Sequence, residues 1–169
     1  MAQPPASDSP TERDPAVVSR FVESFAQLFI DAGMPRIASR IFVALTVTDS
    51  GRLTAAELAQ QLRASPAAIS GGVRYLMQVN LARREREPGS RRDHYRVDND
   101  IWYQTISQRD QLLTRWTAGL REGAEILGEH TPAGARFAES IEFFEFMQKE
   151  LVLVLQRWQQ HRGRPATGA

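Results

Sequence analysis

The sequence predicts a mainly α-helical chain with a small β-hairpin wing: a winged helix-turn-helix flanked by long helices. Three observations predict it. Apolar residues recur at helical spacing through most of residues 15–161. That pattern is interrupted once, at 81–97, by strand-like stretches around Pro88-Gly89-Ser90. The resulting order over 35–97 is helix, helix, helix, strand, turn, strand.

The first helix covers about 15–32, with Val18, Phe21, Val22, Phe25, Leu28 and Phe29 as a broad apolar stripe and Gly33 as its stop. A second, about 35–48, starts near Pro35 and places Ile37, Ile41 and Leu45 on one face. Asp49-Ser50-Gly51 reads as a turn. Thr54-Ala55-Ala56-Glu57 opens the third helix as a capping box, with Leu58 and Leu62 as its buried pair. After Arg63-Ala64, the stretch SPAAISGGVRYLMQ forms the fourth: Ser65 caps it, Pro66 suits its first position, and Asn80 accepts the left-handed backbone that ends it. Leu81–Glu87 and Arg91–Val97 read as strands, with Tyr95 and Val97 facing the core and His94 and Arg96 facing water. Trp102, Ile106, Leu113, Trp116, Leu120 and Leu127 place a long helix at about 99–127, and Thr131-Pro132 begins another that runs to about 161.

The fourth helix contains Gly71 and Gly72, each disfavoured by roughly 0.8–1 kcal/mol relative to Ala in a helix interior. At 100° per residue, Ile69, Val73, Leu76 and Met77 turn towards the core, and Ala67, Ser70, Gly71 and Arg74 turn away. The outer face is small and polar with one long cation, which suits a helix lying deep in a major groove. Gly72 lies at the edge of the inner face and is expected to pack closely against the third helix. The competing reading is that the glycines merely kink or shorten the helix. The hairpin ARREREPGSRRDHYRV carries six arginines (83, 84, 86, 91, 92, 96) against three acids (85, 87, 93). Alone it is a solvated hairpin laced by ion pairs; directly after a helix-turn-helix, it is a wing that lays arginine along phosphates or into the minor groove.

Residues 33–97 resemble the MarR superfamily of bacterial regulators, and more closely its GbsR-like branch. ELAQQLRASPAAISGGVRYLMQVNLARR has that superfamily's helix–turn–recognition-helix order, and PGSRRDHYRVDNDIWYQTI is similar to the branch's wing and the entry to its long dimerisation helix. The resemblance implies an obligate homodimer joined by N- and C-terminal helices. The sequence gives its own reason: the last helix is apolar on more than one face, with Phe144 and Leu151 on one and Phe143 and Phe146 on another. Expected dimer-interface residues are Phe21, Phe25, Phe143, Phe146, Leu151 and Trp158. The expected domains are a disordered tail (1–14), an N-terminal dimerisation helix (15–33), a winged helix-turn-helix DNA-binding domain (34–98), C-terminal dimerisation helices (99–161) and a second disordered tail (162–169).

Expected DNA contacts are Ser65, Ala67, Ser70, Gly71 and Arg74 on the recognition helix and Arg86, Arg91, Arg92 and His94 on the wing. Two such helices imply a roughly palindromic double-stranded operator. Trp102, Tyr103 and Trp116, with Phe29, are packing residues or the lining of an effector pocket for a small lipophilic or aromatic compound. Net charge is only +1, with 20 arginines and one lysine, so the distribution of arginine matters more than the total. The chain has no cysteine, and His94, His130 and His161 lack metal-ligand spacing. No nucleophile elbow or phosphate loop appears. The expectation is a cytoplasmic, non-enzymatic, cofactor-free homodimer that regulates transcription, acting as a repressor; the alternative is a winged-helix module that binds protein instead of DNA. No membrane partner is expected.

Overall fold

A computed structural model describes residues 13–86, 93–107, 109–128 and 130–163. The chain divides into two units between Asn99 and Asp100. In the first, α1 (Pro15–Asp31) begins where Asp14 accepts a hydrogen bond from the Ala16 N–H at 2.8 Å. Arg13 pairs with Asp49 at 2.8 Å and donates to the Val47 carbonyl at 3.3 Å. The segment expected as tail is therefore engaged at residues 13 and 14; residues 1–12 lie outside the described residues. At the other end, Arg162 still belongs to the last helix and Gly163 caps it.

The core is built around α2 (Arg36–Val47), in which Ala38, Ser39 and Ile41 to Leu45 are all buried. These residues take up most of the helix's circumference, so more than one neighbour must cover it, and α1 and α4 (Pro66–Gln78) both pack on it. Phe29 meets Phe42 edge-on with ring centres 5.2 Å apart, ending a ladder that runs Phe21, Phe25, Phe29 along α1. Arg40 grips both carboxylate oxygens of Glu23 and also donates to the Leu62 carbonyl at 2.9 Å, tying α1 and α2 to the end of α3 (Ala55–Leu62).

Gly72 is the tightest point of this packing. A Cβ there would stand 2.7 Å from Ile41 Cδ1, 3.2 Å from Ile37 Cγ2 and 3.3 Å from the Ala38 nitrogen. The expected close approach exists, but its partner is α2 rather than the third helix. A helical wheel fixes which face a residue occupies, not which neighbour covers that face.

The capping box of α3 forms as expected: the Glu57 N–H donates to Thr54 Oγ1 at 3.2 Å, and the Thr54 N–H donates to Glu57 Oε2 at 2.7 Å. The helix ends at Arg63, whose backbone is left-handed (φ +49°). That conformation costs a non-glycine residue about 1–2 kcal/mol.

The sheet has one strand more than the sequence suggested. β1 (Arg52–Thr54) joins β2 (Arg83–Arg86) and β3 (Asp93–Arg96) in the antiparallel order β1-β3-β2. Leu53 and Arg84 flank Tyr95, and Thr54 and Glu85 flank His94. Gly51 leads into β1 with φ +64°; its carbonyl accepts from the Val97 N–H at 2.9 Å, and a Cβ there would stand 2.9 Å from the Val97 carbonyl oxygen. Because β3 has a neighbour on both sides, all four of its residues are half-buried. His94 and Arg96, expected to face water, therefore do not stand clear in it. The turn at 88–90 lies outside the described residues.

In the second unit, the helix expected over 99–127 is described as α5 (Ile101–Ser107) and α6 (Arg109–Leu127), with residue 108 outside the described residues. α7 (Pro132–Arg162) starts at Thr131, whose hydroxyl caps the Gly134 N–H at 3.0 Å. α6 and α7 pack together through Trp116 on Phe144 (ring centres 5.7 Å apart), Arg121 with Glu145 at 2.5 Å, and Gln148 donating to Thr114 Oγ1 at 2.9 Å.

Candidate nucleic-acid interface

The recognition helix α4 has two unlike faces. Ile69, Gly72, Val73 and Leu76 are buried, while Ala67, Ser70, Gly71 and Arg74 are exposed. A Cβ built on Gly71 would find nothing within 4 Å. The two glycines therefore differ physically: Gly72 is required by a neighbour, and Gly71 leaves an open notch in a shallow outer face. Ser65 starts the helix by accepting from the Ala68 N–H at 3.2 Å, and its side chain remains at the surface. Arg74 is the one cation of that face, and it has no acidic partner among the described residues.

The arginines of the sheet are placed differently. Arg83 pairs with Asp98 at 2.8 Å, and Arg84 pairs with Asp93. Arg96 lies between Glu85 at 3.4 Å and Asp98 at 3.5 Å. The Arg84 hydrogen bond holds the Asp93 carboxyl below the usual carboxylate range, and the same bond raises Arg84. Arg86 stands 3.7 Å from the same Asp93 with its side chain 71% exposed, the loosest of these contacts. His94 turns a buried Nδ1 into the sheet, with no hydrogen-bond partner among the described residues. Of the expected wing contacts, Arg86 is therefore surface-exposed and His94 is half-buried. Arg91 and Arg92 lie outside the described residues.

A three-helix unit with a free, shallow recognition helix and an antiparallel wing is the geometry of a DNA-reading winged helix. A MarR-family model matches residues 32–93, and a model described as an MmpR5-like MarR family transcriptional regulator matches residues 100–161. The chain is a MarR-family transcriptional regulator. It is 26% identical over 147 residues to the HTH-type transcriptional regulator MmpR5 of Mycobacterium tuberculosis, covering 86% of this chain and 89% of that protein. A solved transcriptional regulator superposes with a TM-score of 0.77 at 26% identity, covering 85% of this chain and 99% of that one. The MarR regulator Sco3205 of Streptomyces coelicolor, solved in complex with DNA, is similar at 17% identity with a TM-score of 0.41, covering 95% of both chains.

In this MarR-family chain, the residues expected at a dimer interface are largely uncovered. Phe21, Phe143, Phe146 and Trp158 are exposed, and Phe25 and Leu151 are half-buried. Of the expected effector residues, Phe29 is half-buried in the α1 ladder, in the first unit. The other three lie in the second: Trp102 and Trp116 are half-exposed, and the Tyr103 oxygen meets Gln159 Nε2 at 2.5 Å. Among the described residues, no group of three acids or histidines is arranged to hold a metal, and no helix is long and apolar enough to cross a membrane. The sequence reading passed over β1 and treated Arg63 as a mere connection; a three-residue strand carries no periodicity of its own, and a left-handed arginine leaves no signature in the pattern.

Proposed function

We propose that this MarR-family regulator is a homodimeric repressor that reads a roughly palindromic operator with the outer face of α4. The observation that carries the reading is the contrast across that helix: a fully packed inner face and a small, unpaired outer face made of Ala67, Ser70, Gly71 and Arg74. Short side chains admit close approach to base edges, and Arg74 supplies the long donor that reaches a base or a nearby phosphate. Ser65 offers a phosphate contact at the helix start, and Arg86, Arg91, Arg92 and His94 serve the wing.

Exposed Phe143, Phe146 and Trp158 on α7 and Phe21 on α1 support dimerisation, because a monomer would leave this apolar surface in water. Trp102, Tyr103 and Trp116 are the residues that a small lipophilic or aromatic effector would meet. An effector preferring the dimer geometry that mismatches the operator half-sites would release DNA by linkage. We place the chain in the cytoplasm with the DNA it controls. The GbsR-like branch is retained as a proposal at subfamily level.

The test is an electrophoretic shift of the duplex upstream of the chain's own gene, titrated in salt. A salt-sensitive shift at lower protein concentration than for a random duplex is expected. Absence of any salt-sensitive shift would favour the protein-binding module instead. In the same assay, Arg91→Ala with Arg92→Ala should flatten the salt dependence; an unchanged slope removes that part of the wing from the interface. Phe143→Glu with Phe146→Glu should convert dimer to monomer in sedimentation; if the wild-type chain is already monomeric, the dimer reading fails.

A further inference from the structure

We propose that Arg63, in the turn of the helix-turn-helix, contacts the DNA backbone beside the groove that α4 enters. The inference rests on the reading of α4 given above. Over residues 55–78 the sequence contains two cations, Arg63 and Arg74, and one acid, Glu57. Glu57 is occupied by the Thr54 capping box. Both arginines are exposed, and neither has an acidic partner among the described residues.

The backbone makes Arg63 unusual. Its N–H closes the end of α3 on the Gln60 carbonyl at 3.3 Å, and the next N–H, from Ala64, reaches back to the Ala59 carbonyl at 3.0 Å. That pair of bonds is the glycine-favouring end of a helix, with the left-handed residue at φ +49°. Glycine would meet the backbone requirement without strain. Arginine meets it at a conformational cost, and its side chain makes no hydrogen bond or ion pair among the described residues. Its position supplies an external partner. Arg63 lies two residues before Ser65, so their Cα atoms are at most about 7.6 Å apart. A long guanidinium anchored there is beside the first turn of the helix that approaches the duplex, where phosphates flank the groove.

The chemistry expected is a single charge-assisted contact from the guanidinium to a phosphodiester oxygen, carrying no sequence information. It differs from the role proposed for Arg74, which lies on the groove-facing side of α4. It also differs from Arg83, Arg84 and Arg96 of the sheet, whose charges already have carboxylate partners.

The test measures binding of the full chain to two labelled duplexes, the region upstream of its own gene and a random sequence of equal length, across a salt series. Three variants separate charge from backbone. Arg63→Gln keeps the strained backbone and removes the charge; Arg63→Lys keeps both; Arg63→Gly removes the charge and relieves the strain. Arg63→Gln should weaken binding to both duplexes several-fold by a similar factor. The slope of log affinity against log salt should become shallower by about one per bound protomer. Arg63→Lys should keep the wild-type slope. Arg63→Gly should weaken binding as Gln does, with an unchanged or higher melting temperature. A wild-type slope in Arg63→Gln overturns the proposal. So does a loss confined to the upstream duplex, which would make Arg63 a base reader. If the wild-type chain itself binds neither duplex, the reading of α4 fails and this inference with it; if only the variants match wild type, the inference alone fails.

Discussion

The recognition helix and the sheet both present arginine to solvent, but in different electrostatic states. On α4, Arg74 stands on a shallow face with no acidic partner among the described residues. In β2 and β3, Arg83, Arg84 and Arg96 are each held by Asp93, Asp98 or Glu85, and Arg86 is held more loosely. A phosphate arriving at α4 meets an available cation. One arriving at β2 or β3 competes with carboxylates already in place. The lesson is that arginine content overstates how much of this surface can bind an anion, since several of the charges serve to fasten the strands to one another.

The sharpest way to break that comparison is at the paired glycines. Gly72→Leu would drive a side chain into Ile41, Ile37 and the α2 backbone, and should destabilise the fold by about 1–3 kcal/mol or more in urea denaturation. Gly71→Leu should have the opposite sign on stability, gaining up to about 0.5–1 kcal/mol from helix propensity, while blocking DNA binding by filling the notch. Equal behaviour of the two variants would show that the faces of α4 are not distinct. Next, Arg74→Ala should weaken operator binding by about 1–3 kcal/mol if it reads a base. A uniform loss on every duplex would instead make it a phosphate contact.

The smallest effect is electrostatic and lies in the sheet. The Asp93 carboxyl is lowered by its hydrogen bond to Arg84, so its contribution to stability is fully present above the unfolded-state value of about 3.9. It is lost as pH falls through the lower folded-state value. Wild type should therefore exceed Asp93→Asn in urea midpoint at pH 6, and the gap should close as the solution is acidified below about pH 4. A gap that stays constant down to pH 2 would show that the pair does not hold the hairpin.

Much of this was legible in the sequence because helices announce themselves by period. The two faces of α4, the Thr54–Glu57 box, the Leu58 and Leu62 pair and the left-handed Asn80 all follow from spacing and capping chemistry. What escaped depends on long-range placement. β1 is three residues long and becomes a strand only because β3 lies beside it. The pairing of Arg83 and Arg96 with Asp98 depends on strand register as well as residue order. His94 and Arg96 read as water-facing because their alternation with Tyr95 and Val97 was clear, but Thr54 and Glu85 beside His94, and Arg52 and Arg83 beside Arg96, cover part of that face. Gly72 was recognised as a contact point without its true neighbour, since α2 and the third helix both lie on the inner side of α4.

Thr54 closes β1 and, in the same residue, caps α3. No spacer separates the sheet from the first helix of the DNA-reading pair, so nothing between them can act as a swivel. The strands β1 to β3 and the first helix of the reading head are therefore set relative to one another when the chain folds. Lengthening this junction by a single residue after Thr54 would part the Thr54–Glu57 cap, so it should lower the melting temperature and shrink the ratio of upstream to random duplex affinity together.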